Sequence, residues 1–164
     1  MKKLLFIMLL IFITGCSSDI YNIEKTTKLS KNQTMNVIPF ANFTQTQLAG
    51  YKVAGIVEGV LKSKGYNISK SLWNFPEEDY TLNEIKKIIQ NTKTNYIVTG
   101  YINEYRYKTG IDGEPAISIT IKIFDKTKNK YIYSATVSKT GNTYDSLSLI
   151  TQNAINKIFD ENNK

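Results

Sequence analysis

The sequence predicts an α+β fold: a two-layer sandwich in the order β-α-β-α-β-β-β-α, with a mixed sheet ending in an antiparallel meander and helices packed on one face. Three observations predict it. Ala116–Phe124 alternates without a break, Ile117, Ile119, Ile121 and Ile123 pointing one way and Ser118, Thr120 and Lys122 the other. That is the two-residue period of a half-buried strand. Strand-like runs flank it: Tyr96–Tyr107 before, joined by a loop whose Asp112-Gly113 is a strong hairpin signal, and Tyr131, Tyr133, Ala135 and Val137 after a polar turn over Asp125–Lys130. Finally, three stretches with helical spacing of apolar residues supply cover for the Ile/Tyr/Val face of this meander.

The first residues read as an address. Lys2 and Lys3 precede the apolar run Leu4–Ile13, about half of the roughly 20 residues that a membrane-spanning helix needs. Ile13-Thr14-Gly15-Cys16 resembles the bacterial lipobox, so residues 1–15 are expected to be a lipoprotein signal peptide and Cys16, the only cysteine, the acylated first residue of the mature chain. Acyl chains at about 0.8 kcal/mol per buried CH₂ make a lasting anchor. Ser17 stands where inner-membrane retention usually has Asp, which favours the outer membrane. Removing 15 of 164 residues leaves 149, a single-domain length able to bury one core, and losing Lys2 and Lys3 takes the formal charge from +7 to +5.

Residues 16–34 read as the lipidated N-terminus and a polar tether, residues 35–160 as one α+β domain and residues 161–164 as a tail. Met35–Phe40 is a short strand with Pro39 at its end, since proline cannot donate to a ladder. The first helix spans about Gln47 to Lys64, with Val53, Ile56, Val57, Val60 and Leu61 as its apolar stripe and Gly65 as its stop. Lys52, Gly55, Gly59 and Lys62 share its other face. Interior helical glycines cost about 1 kcal/mol each relative to alanine, so Gly55 and Gly59 are candidates for subunit packing, or are simply tolerated on a solvated face. Tyr66–Leu72 is a second strand. Thr81 and Glu84 form a capping box for a helix carrying Leu82, Ile85, Ile88 and Ile89. Asp145 or Ser146 caps the last helix, whose Leu147, Ile150, Ala154, Ile155 and Ile158 turn inward.

Catalytic chemistry is sparse. The chain has no histidine, its one thiol is the lipidation candidate, and no serine sits in a nucleophile-elbow context. Glu77, Glu78 and Asp79 are adjacent but lack the alternating spacing of a cation loop. Tyr101, Tyr105 and Tyr107 read as one strand face, either cross-strand packing or a sugar-stacking platform. The positive charge is scattered lysine, with Arg106 the only arginine, which reads as a basic surface rather than a nucleic-acid face. No enzyme, metal or cofactor is expected beyond the lipid on Cys16.

Val37-Ile38-Pro39-Phe40 with Asn42 and Thr44, and Ile123-Phe124-Asp125 with Tyr133-Ser134-Ala135, resemble a superfamily of periplasmic domains that includes CsgG, LpoB and the N-terminal domain of TolB. A narrower likeness joins Asn42–Gly50, the hairpin stretch Glu104–Ala116 and Ser138-Lys139-Thr140-Gly141 with Ser146-Leu147-Ser148: these are similar to the PelC lipoproteins, over about Val37 to Ile158. The resemblance implies a non-enzymatic outer-membrane lipoprotein facing the periplasm. It would assemble as a dodecameric ring beneath a PelB-like barrel and assist export of the cationic Pel polysaccharide of the biofilm matrix. Its partners would be lipid, copies of itself, the barrel and the polymer, with no nucleic acid. An accessory lipoprotein in the manner of LpoB or CsgG, activating a periplasmic synthase or assisting envelope assembly or secretion, is the alternative. Glu104, Arg106, Lys108, Asp112 and Glu114 form a charged hairpin cluster placed at the polymer path or a subunit contact, or a plain surface ion pair. Relatives tend to carry a membrane-interface Trp after the Ser-x-x-Gly stretch. Here Asn142 occupies that place and Tyr144 is the nearest aromatic, which makes this pair the membrane-proximal candidate.

Overall fold

The isoleucine alternation at the centre of the chain becomes the middle of the sheet. A computed structural model describes residues 19–25, 29–107 and 113–160. Its elements are β1 (Asp19–Lys25), β2 (Thr34–Val37), β3 (Ala41–Asn42), α1 (Ala49–Ser63), β4 (Asn67–Lys70), α2 (Leu82–Asn91), β5 (Tyr96–Arg106), β6 (Ala116–Asp125), β7 (Lys130–Thr140) and α3 (Leu147–Asp160). The strands form one mixed sheet in the order β1-β7-β6-β5-β2-β4, with β3 continuing β2 along β5. β5, β6 and β7 are the expected antiparallel meander, while β2 runs parallel to both β4 and β5.

Neighbouring strand residues point to opposite faces, and two apolar clusters follow. Val37, Val98, Ile102, Ile117, Ile119, Ile121 and Ile123 meet α1 and α3 on one face. Ile38 and Ile97 meet Ile85 and Ile89 of α2 on the other. α1 and α3 therefore share a face as the sequence leads one to expect, and α2 does not join them. The reason is topological. The β2–α1–β4 crossover runs outward and β4–α2–β5 returns across β2, so crossovers of one hand must place their helices on opposite faces.

The segment read as a tether contains a strand. Asp19–Lys25 pairs antiparallel along β7, from Asp19↔Lys139 to Lys25↔Tyr133. Tyr21 and Ile23 pack against the larger cluster, with Leu29 buried in it. Two aligned apolar residues, Tyr21 and Ile23, are too short a pattern to separate a strand from a polar linker by periodicity. Both caps behave as the sequence predicts. Thr81 and Glu84 form a reciprocal capping box on α2, and Ser146 Oγ accepts from Leu149 N at 3.1 Å to cap α3.

Three glycines separate close packing from open space. A Cβ on Gly50 would lie 2.1 Å from Phe40 O and one on Gly100 1.9 Å from Thr120 O, whereas one on Gly59 meets nothing within 4 Å. Gly50→Ala and Gly100→Ala should therefore each lower stability by about 1–3 kcal/mol or more through forced backbone shifts. Gly59→Ala should raise it by about 0.5–1 kcal/mol, both read from urea melts. A pH effect is also expected at the β6–β7 turn. Burial raises the pKa of the Asp125 carboxyl, but hydrogen bonds from Thr127 and Lys128 outweigh it and leave the pKa below its ordinary value. Its contribution should be present above the ordinary aspartate pKa and be lost as pH falls through the lower folded value. Asp125→Asn should flatten that acid limb.

Candidate functional site

The hairpin charges land beyond a bulge in β5. Pairing with β6 shifts register between Ile102 and Glu104, after which Glu104 faces Ser118 and Arg106 faces Ala116. The extra residue reverses which side chains point to the core. Ile102 before it and Tyr105 after it both join the α1/α3 cluster, whereas Tyr101 packs beside the α2 cluster. Tyr101 and Tyr105 thus face opposite ways and do not make one platform. Tyr105 is buried, which raises the pKa of its phenol, and Tyr107 is exposed. Glu104 and Arg106 do share a face. Arg106 Nε lies 3.2 Å from Glu104 Oε1, both side chains are about half exposed, and Nη1 donates to the Glu114 backbone oxygen at 3.4 Å. Lys108 and Asp112 lie outside the described residues.

The β7–α3 loop closes on this hairpin. Gly141 N donates to Pro115 O at 2.9 Å, and a Cβ there would fall within 3.1 Å of Ile150, Pro115 and Asp145. Asn142 N donates to Asp145 Oδ2 at 2.7 Å and its carbonyl accepts from Asp145 N, a tight turn that holds Tyr144 outward at 99% exposure. Tyr107, Pro115, Tyr144 and Leu147 line a shallow, largely apolar cleft of about 380 Å³ beside it. β1 begins at this same end, where the Lys139 ammonium lies 2.8 Å from Asp19 Oδ1. Cys16 lies outside the described residues, three positions before that strand.

Around α1, the structure leaves Gly55 and Gly59 exposed, with only Leu72 Cδ2, 3.7 Å away, near a Cβ on Gly55. Two acids, Glu58 and Asp79, take structural roles here that their sequence context does not announce. Glu58 is buried; Oε2 accepts from Leu72 N at 2.6 Å and Oε1 bonds the Lys62 ammonium. It anchors the short 3-10 turn Leu72–Asn74, which holds Trp73 out at 90% exposure. The available signal was its place inside the apolar stripe, between Ala54 and Leu61. Asp79 Oδ1 accepts from Asn42 Nδ2 at 2.7 Å and from Leu48 N at 2.9 Å. Leu48 precedes α1 in a left-handed conformation with no cap of its own, so Asp79 serves as a cap from a distant loop. Glu77, Glu78 and Asp79 thus include a loop clip. Among the described residues, no group of three or more His, Cys, Asp or Glu side chains is placed to hold a metal ion.

No family model matches the chain, and no curated protein sequence matches it significantly. Solved structures do match. The PelC dodecamer from Paraburkholderia phytofirmans superposes with a TM-score of 0.71 and 23% identity, covering 88% of this chain and 97% of that one. The fold is that of PelC. Lipoprotein GNA1162 from Neisseria meningitidis is similar at a TM-score of 0.55 and 14% identity over 78% of this chain and 99% of that one. The hypothetical protein CT253 from Chlamydia trachomatis reaches 0.52 at 13% identity over 79% and 94%.

The loop geometry yields a direct test. Asp79→Ala should cost about 1 kcal/mol as α1 loses its surrogate cap, while Glu77→Ala should stay within about 0.5 kcal/mol of the parent. Equal effects in thermal melts would mean that Asp79 does not clip the loop.

Proposed function

We propose that this chain is a non-catalytic lipoprotein anchored at Cys16 in the outer membrane, forming a periplasmic ring that assists export of a cationic exopolysaccharide through a partner barrel of the PelB kind. The observation that carries the reading is the fold shared with PelC over 88% of the chain, in crystals described as dodecamers. The docked β1 strand supports it. With β1 paired from Asp19, Cys16 is three positions from the strand, a reach of at most about 10 Å. With the lipid in the bilayer, so short a reach would keep the Tyr107/Tyr144 end near its surface, where tyrosine is favoured. An activator that reaches a synthase across the periplasm needs a long free tether, so the short reach speaks against that reading. The polar hairpin, with Glu104 and Glu114 beside Arg106, is the part of the surface offered to a cationic chain or to a neighbouring subunit.

Light scattering of the full-length protein in detergent should report a large homo-oligomer; a monomer at all concentrations would overturn the ring. Gly55→Leu and Gly59→Leu should leave the subunit folded, since a Cβ at Gly55 meets only Leu72 at ordinary contact distance and one at Gly59 meets nothing, and should reduce assembly if α1 is a subunit contact. Glu114→Lys together with Asp112→Lys should lower secreted polysaccharide at unchanged protein level. Normal secretion would remove the hairpin from the polymer path. Cys16→Ala should leave the protein out of the outer membrane on fractionation.

A further inference from the structure

Asn36 breaks the apolar register of the first parallel strand. It lies in β2 between Met35 and Val37, is 1% exposed, and its Oδ1 has no hydrogen-bond partner among the described residues. A buried acceptor left open carries a free-energy cost that few native groups bear. Asn36 also lines a cleft of about 360 Å³ between β2, the Asn74–Phe75 loop and the C-terminal end of α2. The other walls are Asn74, Phe75, Ile88, Asn91 and the Thr92–Thr94 stretch.

The lining has a definite chemistry. Asn74 spends its amide N–H on Ser71 O and Thr92 its hydroxyl hydrogen on Ile88 O, which leaves the oxygens of both as acceptors. Asn91 is exposed and offers an amide donor and acceptor. Lys93 adds an ammonium, and no carboxylate is among the described lining residues. Phe75 and Ile88 supply an apolar wall, and Trp73, next in sequence to Asn74, stands at 90% exposure. Amides, hydroxyls and an aromatic face around a cleft of this size match a ring that is hydroxylated at its edge and apolar on its face. The ammonium and the lack of acids disfavour a cationic ligand.

We propose that this cleft is a binding site for a neutral pyranose unit, with a sugar hydroxyl or acetamido N–H donating to Asn36 Oδ1 after a small turn of the amide, and Phe75 or Trp73 against the ring face. The site is separate from the charged hairpin and does not rest on the export reading, which stands or falls on assembly and secretion.

Trp73 is the only tryptophan, so its emission reports the site in the full-length protein in detergent. Three probes separate the sources of such a ring: maltotriose for hydroxyls alone, triacetylchitotriose for acetamido-bearing glycans, and its deacetylated, cationic trimer. At least one neutral trimer should give a saturable change in Trp73 emission, and the cationic trimer none. Asn36→Leu should weaken that binding at least about tenfold while the melting temperature of the free protein holds or rises, because the open acceptor is gone. Asn91→Ala, at an exposed position, should weaken binding with the fold intact and serves where Asn36→Leu does not fold. No saturable change with either neutral trimer, equal binding by the cationic trimer, parental affinity in both variants, or an oligomer lost in place of sugar binding would each overturn the site.

Discussion

The ring of Phe40 lies against Gly100 of β5 while its carbonyl oxygen faces Gly50 of α1, and both approaches are closer than any side chain would allow. Phe40 is fully buried, just past the parallel strand β2 and just before β3. One residue thus joins the parallel half of the sheet, the first helix and the antiparallel meander. The arrangement needs glycine on both partners at once, because a Cβ on either would enter the space that the ring or the carbonyl occupies. The positions of β3, the N-terminus of α1 and the loops after them follow from that contact. Asp79 then fixes the same region from outside by bonding Asn42 and Leu48.

Much of the fold was legible in the sequence because apolar alternation is a local property. The four isoleucines of β6 appear in the core as their spacing implies, and the capping box of α2 forms with both of its hydrogen bonds. What was not legible depends on non-local geometry. The side of the sheet that α2 covers follows from the direction of two crossovers and not from any residue within α2. β1 is held by a ladder to β7, more than a hundred positions away, and its own short pattern is too weak to announce it.

The candidate sites divide in the same way. Glu104 and Arg106 are two residues apart on one strand face, and they pair because both lie beyond the bulge. Tyr101 and Tyr105 were placed together by counting in twos, and they separate because the bulge lies between them. Glu58 has an ordinary place in an amphipathic helix, and only the approach of Leu72 turns it into a buried anchor for the Trp73 turn. Asn36 likewise looks like a polar residue in a short strand until the cleft beside it is seen.

The pairing of β1 with β7 also sets how the domain would bear load. β1 begins at Asp19 and runs along β7 through seven register pairs. In an antiparallel ladder the hydrogen bonds lie across the strand direction. A pull on the N-terminus along the strand therefore shears all seven pairs together instead of peeling them one by one. Shear geometry distributes tension over the whole ladder, so the attachment is mechanically stiffer than its length suggests. A lateral tug at the same point would open the ladder from Asp19 inward, which makes the attachment strong in one direction and weak in another.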